Sequence, residues 1–330
     1  MAKSKKRAGK DNKEKAKAKG KAKRENVKAK AKEKKSFNFS YKWFVENYKK
    51  SIMISIFLLL LAVSVIGYHY YKTGSIFDKG MDFTGGSQAV VMVTTDFNVN
   101  HVERIAASII KGDVRVRKAK GGGSEMLIIE SSSQLNENIV KEVLEKAGIK
   151  YKAINIESIS PAISQVFWEK ALRAIIIAFI GMGIVVFLTF RSIAPSLAIV
   201  LAAASDITTA IALMDIFHIQ MSLATLSAIL ILIGYSVDTD ILLSTRVLKR
   251  RLEGNLDERI INSAKTGLTM TITAIIVMLV MYILTPSETL KSIALVIMFG
   301  LFADIPFTWL QNMAIIKWYV LKKMKKVSKR

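Results

Sequence analysis

Four aspartates lie inside, or at the edge of, stretches that are apolar enough to cross a lipid bilayer: Asp206, Asp238, Asp240 and Asp304. A charged Asp at the centre of a membrane helix costs roughly 2.5 to 3.5 kcal/mol, so a carboxylate there has a task or a partner. The chemistry that such groups support is the movement of protons or other ions, and the alternative is pairing inside a helix bundle. At about 1.5 Å of rise per residue, Asp206 falls near the middle of its span. The candidates for a proton relay among the acids are therefore these four aspartates.

The composition combines a membrane protein with a charge that is concentrated at one end. Hydrophobic residues make up 51% of the chain, and the net charge is +23. Residues 1–35 hold 17 Lys and Arg against 4 Asp and Glu, with almost no apolar side chains, which predicts a tail that is disordered in isolation. We expect the basic cytoplasmic segment 1–50 either to fix the orientation of the protein or to attract anionic lipid or a ribosome. The chain has no cysteine, so disulfide bonds are excluded.

Six apolar segments predict a multi-pass protein of the cell membrane with both termini in the cytoplasm. Residues 246–265 hold 6 Lys and Arg and residues 317–330 hold 7, whereas the opposite connections, 215–220 and 286–289, hold none. The predicted organisation is six spans at 51–71, 171–190, 195–214, 221–243, 267–285 and 290–310, an extracytoplasmic domain at 72–170, a cytoplasmic loop at 244–266 and a basic cytoplasmic tail at 311–330.

The extracytoplasmic segment predicts a small α+β domain. The order β-α-β-β-α-β is that of a ferredoxin-like sandwich. Its histidines and those nearby are isolated, so no metal site is predicted. No cofactor site or catalytic constellation is recognised either, so the chain is not expected to be an enzyme. The predicted strands are 88–95, 114–118, 126–130 and 151–156, the predicted helices are 99–110 and 134–147, and a glycine turn is predicted at 121–123.

Three motifs resemble signatures of one membrane-protein family. Gly80-Met81-Asp82-Phe83-Thr84-Gly85-Gly86 follows the first span and resembles the GxDFxGG signature shared by SecD and SecF, the paired membrane subunits of protein export. Gly234-Tyr235-Ser236-Val237-Asp238-Thr239-Asp240, with Arg246 downstream, resembles the SecF form of a second motif in the fourth span. Ser205-Asp206-Ile207 is similar to a third site of that form. Together with six spans and one outer domain, the resemblance covers nearly the whole chain from about residue 40.

The departures from the bacterial motifs resemble the archaeal branch of the family. Asp238-Thr239-Asp240 stands where bacterial relatives have Asn-Asp-Thr/Ser, and Thr245-Arg246 stands where they have Asp-Arg. The family belongs to the proton-driven RND-type transporters. The resemblance therefore implies a six-helix RND/SecF-like half that works with a SecD-type subunit and the Sec translocation channel on exported polypeptides, driven by the proton gradient. It also adds Arg246, which follows the fourth-span motif, to the candidates for the proton relay.

Helical spacing separates the roles of the acids. Asp238 and Asp240 are about 200° apart around a helix, so they cannot face the same neighbour. Asp240 either belongs to the relay or pairs with Arg246 or Lys249 at the cytoplasmic edge. Asp304 is either a relay residue or an interface residue.

Small and polar side chains suggest how the acids are surrounded. Ser227 and Gly234 predict close helix packing beside Asp238. The glycine pair Gly85-Gly86 predicts a hinge or a fastening where the chain enters the outer domain, and a gate coupled to protons is the alternative. A threonine stripe on the fifth span either hydrates a path or forms hydrogen bonds across helices: Thr266, Thr269 and Thr273.

Three functions are compatible with these patterns. The first is a SecF-type export subunit that uses the proton gradient. The second is half of a related proton-coupled RND-type exporter of lipids or small molecules. The third is a non-transporting assembly or scaffold factor of the translocon, in which the acids are structural.

Overall fold

The computed structural model describes residues 41–121, 124–249 and 254–328. The predicted disordered tail and most of the predicted glycine turn lie outside these residues. Within the described ranges, the chain forms a bundle of long helices with one α+β domain inserted after the first of them.

The α+β domain follows the first long helix, α1 (Tyr48–Thr73), and a single turn, α2 (Met81–Thr84). All neighbouring strands are antiparallel, in the order β2-β3-β1-β4. This is the predicted ferredoxin-like arrangement, which the structure confirms. The elements of the domain are β1 Gly86–Val93, α3 Val99–Ile109, β2 Val114–Gly121, β3 Ser124–Ser131, α4 Glu137–Lys146 and β4 Tyr151–Ile159.

The domain has a core of its own between the sheet and its two helices. Val91 of β1 and Leu127 and Ile129 of β3 are fully buried, and they belong to one cluster with Val140 and Leu144 of α4. Alternate residues of each strand point to the same face of the sheet, which explains the spacing of two between the buried positions. The domain therefore has a hydrophobic core that is separate from the core of the helix bundle.

Six helices in the described part of the chain are long and apolar enough to span a membrane, as predicted. They are longer than the predicted spans because polar caps, and not the end of the apolar run, terminate them. The helix that contains the second predicted span, 171–190, starts already at Pro161, because the Ser160 side chain caps it there. After α1, the long helices are α5 Pro161–Phe190, α6 Ile193–Ile216, α7 Leu223–Leu248, α8 Leu256–Leu284 and a last one made of α9 Glu288–Pro306, a π-helical turn Phe307–Asn312 and α10 Met313–Ser328.

The long helices divide into a central and a peripheral set. About half or more of the apolar window is buried in α6, α7 and the last helix, whereas less than a fifth is buried in α1, α5 and α8. The central helices carry all four aspartates of the predicted relay. The peripheral helices leave broad apolar surfaces exposed, as expected of helices that face lipid or another subunit.

Described residues of both predicted tails pack against the helix bundle. Residues 41–46 are helical, and Tyr41 and Val45 are buried, with the Tyr41 hydroxyl donating to the Trp309 carbonyl at 2.8 Å. In the predicted C-terminal tail, α10 continues the last helix. Lys317 of α10 donates to Asp257 at 2.6 Å and to the Val45 carbonyl at 2.9 Å. Apolar and paired side chains thus extend the bundle past residues 50 and 310, and the cytoplasmic location of both tails stays a prediction.

Candidate functional site: three buried aspartates

Three of the four aspartates meet inside the bundle. Asp206 of α6, Asp240 of α7 and Asp304 of α9 have no exposed surface. The carboxyl group of Asp206 lies close enough to interact electrostatically with both of the others. The chain therefore brings acids from three helices to one buried location.

Asp304 is the centre of a ring of hydroxyl groups. Thr239 of α7 and Thr271 of α8 each donate to Oδ2 of Asp304 at 3.2 Å. Thr308 of the π turn donates to Oδ1 at 2.7 Å. Three donors from three elements stabilise a charge without bringing a second charge into the bundle.

The Thr308 hydroxyl also joins Asp304 to Asp240. Its oxygen lies 2.7 Å from Oδ1 of Asp304 and 2.9 Å from Oδ1 of Asp240. A hydroxyl group has only one proton to donate, so it cannot fully satisfy two ionised carboxylates. Two ionised carboxylates this close would also repel each other. The arrangement is satisfied when one of the two carboxyl groups holds a proton and donates to Thr308.

The π-helical turn supplies the groups that face Asp240. Pro306 has no N–H group and interrupts the regular pattern of the last helix, and the π turn follows it directly. Asn312, at the end of this turn, donates to Oδ1 of Asp240 at 2.6 Å, while Oδ2 of Asp240 has no partner among the described residues. Sequence reasoning missed Thr308 and Asn312, although their spacing of four and eight residues from Asp304 places all three on one helix face.

Asp206 occupies the α6 side of the site. The Ser236 hydroxyl of α7 donates to Oδ2 of Asp206, and Oδ1 has no partner in the described part of the chain. Ser205 beside it accepts a hydrogen bond from Gln311 of the π turn at 3.2 Å. Ser236 of the fourth-span motif is thus the contact between α7 and the acid of α6.

No basic side chain among the described residues pairs with any of the three acids. Arg246 donates to the Asn262 carbonyl at 3.0 Å and to Thr266 at 3.1 Å. Lys249 lies over the Phe190 ring at 5.5 Å. The predicted alternative of an ion pair between Asp240 and either of these cations is therefore wrong, because Asp240 points inward and both cations lie beyond the end of the site.

Asp238 is separated from the other three acids. It is exposed on the opposite face of α7, as the helical spacing predicts, and Gly234 and Tyr235 share that face. The close packing predicted beside Gly234 is not made by the described residues, because a Cβ on Gly234 would meet nothing within 4 Å. A carboxylate on an open face of a membrane helix is costly against lipid.

The threonine stripe predicted on the fifth span contacts none of the three buried aspartates in the described part of the chain. Thr269 and Thr273 of α8 are exposed, and their hydroxyl groups donate to carbonyls of their own helix. Thr266 bonds to Arg246. Thr271, which the sequence reasoning passed over, is the α8 residue that reaches Asp304.

The first signature fastens the chain segment that leads into the α+β domain to the start of α7. The Gly80 N–H group donates to the Met221 carbonyl at 2.7 Å, and Oδ2 of Asp82 accepts from the Leu223 N–H group at 2.7 Å. Leu223 is the first residue of α7, so Asp82 places a negative charge at the positive end of the helix that carries Asp240. These contacts support the fastening interpretation of the signature.

The rest of the signature holds the chain in tight backbone contact. Phe83 is buried in the bundle core and packs edge-on against Trp168. Gly85 and Gly86 both have positive φ angles, of 77° and 126°, and a Cβ on Gly86 would collide with the backbone of Ser131. Only glycine fits there.

Gly300 sets the position of Asp304. It lies one turn before Asp304 on α9, and a Cβ at Gly300 would overlap the Leu232 side chain of α7. The missing side chain lets α9 approach α7 closely enough for Thr239 to reach Asp304. The sequence analysis predicted only an apolar span at 290–310, so it did not identify this role of Gly300.

The described residues contain no group of three or more His, Asp or Glu side chains arranged to hold a metal ion. The three aspartates instead accept hydrogen bonds from hydroxyl and amide groups. The predicted absence of a metal and of a cofactor stays a prediction.

Comparison with known proteins agrees with the geometry. Residues 139–322 match the family described as protein export membrane protein SecD/SecF, C-terminal. SecF of Pyrococcus furiosus is 38% identical over 278 residues, which cover 83% of this chain and 92% of that protein. SecF of Methanocaldococcus jannaschii is 35% identical over 284 residues, which cover 84% and 97%. The chain belongs to the SecF family of protein-export membrane proteins.

Solved structures support the fold of this SecF-family member. The crystal structure of SecDF, a translocon-associated membrane protein from Thermus thermophilus, matches with a TM-score of 0.67 at 20% identity and covers 84% of this chain. A second SecDF structure, in a super-membrane-facing form, matches with a TM-score of 0.56 at 19% identity. The match spans only 38% and 39% of those longer chains, respectively. The predicted resemblance and fold class are confirmed.

Proposed function

We propose that this chain is a SecF-type subunit that assists the movement of exported polypeptides through the Sec channel, driven by the proton gradient. Asp206, Asp240 and Asp304 carry the proton, with Ser236 and Thr308 as the hydroxyl groups between them. The observation that carries this proposal is the bridge of Thr308 between two buried carboxyl groups, because the bridge is satisfied when the site holds a proton.

A SecD-type subunit is the proposed partner. Asp238 lies exposed on α7 within an apolar span, where a charged Asp facing lipid costs roughly 2.5 to 3.5 kcal/mol. The solved SecDF chain is more than twice as long as the part matched here, which supports a second half contributed by another polypeptide. Asp238 then faces that half instead of lipid. The Sec channel and the exported polypeptide are partners of the assembled complex.

The proposed location is the cell membrane, with both termini cytoplasmic and residues 72–170 outside. The basic residues at the chain ends support this orientation. Because the chain has no cysteine, single cysteines introduced at an exposed residue of the outer domain and of α10 report the orientation directly. An impermeant thiol reagent should label only the outer one on intact cells. The basic segment 1–50 is proposed to attract anionic lipid or a ribosome.

Transport, and not covalent catalysis, is the proposed activity. The test is precursor movement in vesicles that contain the Sec channel, the SecD-type partner and this chain, with and without an imposed proton gradient. Asp206→Asn and Asp304→Asn should abolish the gradient-dependent part of the movement while the complex still assembles. The matched control is Asp113→Asn, on the exposed surface of the outer domain, which should leave movement unchanged.

The alternatives give different results in the same assay. Movement that is helped equally by all variants, with or without the gradient, would indicate a scaffold factor. Gradient-dependent release of lipids or small molecules without any effect on precursors would indicate an exporter. Either result would overturn the proposed function.

A further inference from the structure

A cavity of about 610 Å³ lies at the end of the bundle that is remote from the outer domain. Its walls come from the end of α5, the start of α6, the end of α7, the start of α8 and α10. The volume is in the range of ligand pockets in proteins. None of the residues of the acid site, from Asp206 to Asn312, lines this cavity, so the two are separate places.

Three basic side chains line the cavity and no acidic one does, within the described residues. Arg259 is the most informative, because it is only 8% exposed. One of its terminal nitrogens donates to the Val247 carbonyl at 2.9 Å, while Nε has no partner in the described part of the chain. Arg191 and Lys323 are exposed at the rim. A buried guanidinium with an unused donor requires an anion or water to satisfy it.

The start of α6 adds further donors to the same cavity. Ser192 is the N-cap residue of α6, but its side chain caps no N–H group and instead hydrogen-bonds the Tyr319 hydroxyl at 2.8 Å. The first N–H groups of a helix and its positive dipole end attract anions. This end of α6 therefore reinforces the positive charge of Arg259, Arg191 and Lys323.

The remaining wall is apolar, and this distinguishes a lipid from a free anion. Phe190, Leu248, Val320 and Met324 line the cavity together with the basic groups. The cavity sits where α5 and α7 end and α6 begins, which is the level of lipid head groups for helices that span the bilayer. A basic pocket between membrane helices at this level suits a phosphate group that carries hydrocarbon chains.

We propose that this cavity binds an anionic phospholipid, with its phosphate at Arg259, Arg191 and the start of α6 and its hydrocarbon chains along the apolar wall. The bound lipid contacts the ends of α5, α6, α7 and α8 together with α10. Two of these helices, α6 and α7, carry Asp206 and Asp240. This binding is independent of the proposed export function, since it requires neither the partner subunit nor a proton gradient.

Native mass spectrometry of the purified chain in detergent tests the proposal. The probes are phosphatidylglycerol and phosphatidylcholine at equal concentration. We expect phosphatidylglycerol to remain bound and phosphatidylcholine to be lost. Arg191→Gln with Lys323→Gln should weaken phosphatidylglycerol binding roughly thirtyfold, because each basic group near an anionic lipid contributes on the order of 1 kcal/mol.

The charge-matched control is Lys325→Gln with Lys326→Gln, which removes two exposed positive charges from the same helix outside the cavity. Binding should stay within about twofold of the original chain, and the thermal unfolding of both double variants without lipid should be unchanged. Equal loss in both double variants would overturn the proposal in favour of diffuse surface attraction. Displacement of the lipid by soluble glycerol phosphate at equal concentration would overturn it in favour of a free-anion site.

Discussion

The substitution Thr308→Val tests the bridge between Asp240 and Asp304. Valine has nearly the shape of threonine but no hydroxyl group, so the substitution fills the same space and removes the hydrogen-bonding group. Asp304 retains Thr239 and Thr271 as donors, and Asp240 retains Asn312. The change therefore removes one hydrogen-bonding group that serves two carboxyl groups.

The magnitude follows from the environment of the hydroxyl group. A hydrogen bond to a charged group contributes about 1.5 to 3 kcal/mol, and the Thr308 side chain is fully buried. We expect Thr308→Val to lower the free energy of unfolding by about 1.5 to 3 kcal/mol and to abolish gradient-dependent export. Thr308→Ser keeps the hydroxyl group and should keep most of both properties.

The assays are thermal or denaturant unfolding in detergent and precursor movement in vesicles under a proton gradient. Thr273→Val is the matched control, because this exposed hydroxyl group bonds only to its own helix. It should change stability by less than about 0.5 kcal/mol. Full gradient-dependent export by Thr308→Val would refute the reasoning, since protons would then pass between the acids without the bridging hydroxyl group.

Three further predictions concern the groups that position the site. Gly300→Ala should destabilise the protein by about 1 to 3 kcal/mol in thermal unfolding, because its methyl group overlaps Leu232, whereas Gly181→Ala, with open space around it, should not. Asp82→Ala should cost about 1 kcal/mol and speed hydrogen exchange at the start of α7, since it removes the acceptor there; unchanged exchange would exclude the fastening role. Asp238→Leu should weaken association with the SecD-type subunit in native mass spectrometry without destabilising the isolated chain. Unchanged association would show that this face meets lipid and not the partner.

The fold could be predicted from the hydrophobic pattern of the sequence. Six apolar segments and the order of strands and helices between the first two were enough to predict the bundle and the ferredoxin-like domain. These elements are predictable because the spacing of apolar residues along the chain indicates which faces of a helix or strand are buried. The positions where helices end were harder, because caps such as Ser160 and Asn255 extend helices past the apolar window.

The site was only partly predictable, because its geometry depends on contacts between helices. The apolar surroundings of Asp206 and Asp304 marked them as unusual, and the spacing between Asp238 and Asp240 separated their faces. The sequence could not tell which of those two faces was inside. That choice depends on the close approach of α9 at Gly300, which is a tertiary effect with no periodic signal.

The hydrogen-bond partners of the acids were the least predictable part. Asp240 meets Thr308 and Asn312 because the last helix changes to a π turn after Pro306. A proline in an apolar helix signals an irregularity but does not say which side chains it turns inward. The alternative in which Asp240 pairs with Arg246 or Lys249 is wrong, because Thr308 and Asn312 bond to Asp240 instead.

Infrared spectroscopy of the purified protein tests the central claim most directly, since the C=O band of a protonated carboxyl group is distinct from the bands of a carboxylate. The spectrum is recorded at neutral pH in a detergent without carbonyl groups and compared with those of Asp240→Asn and Asp304→Asn. Our account predicts a protonated-carboxyl band in the original chain that is lost or shifted in both variants and unaffected by Asp113→Asn. A spectrum without such a band would mean that all three buried acids are ionised, which would contradict the proposed proton site.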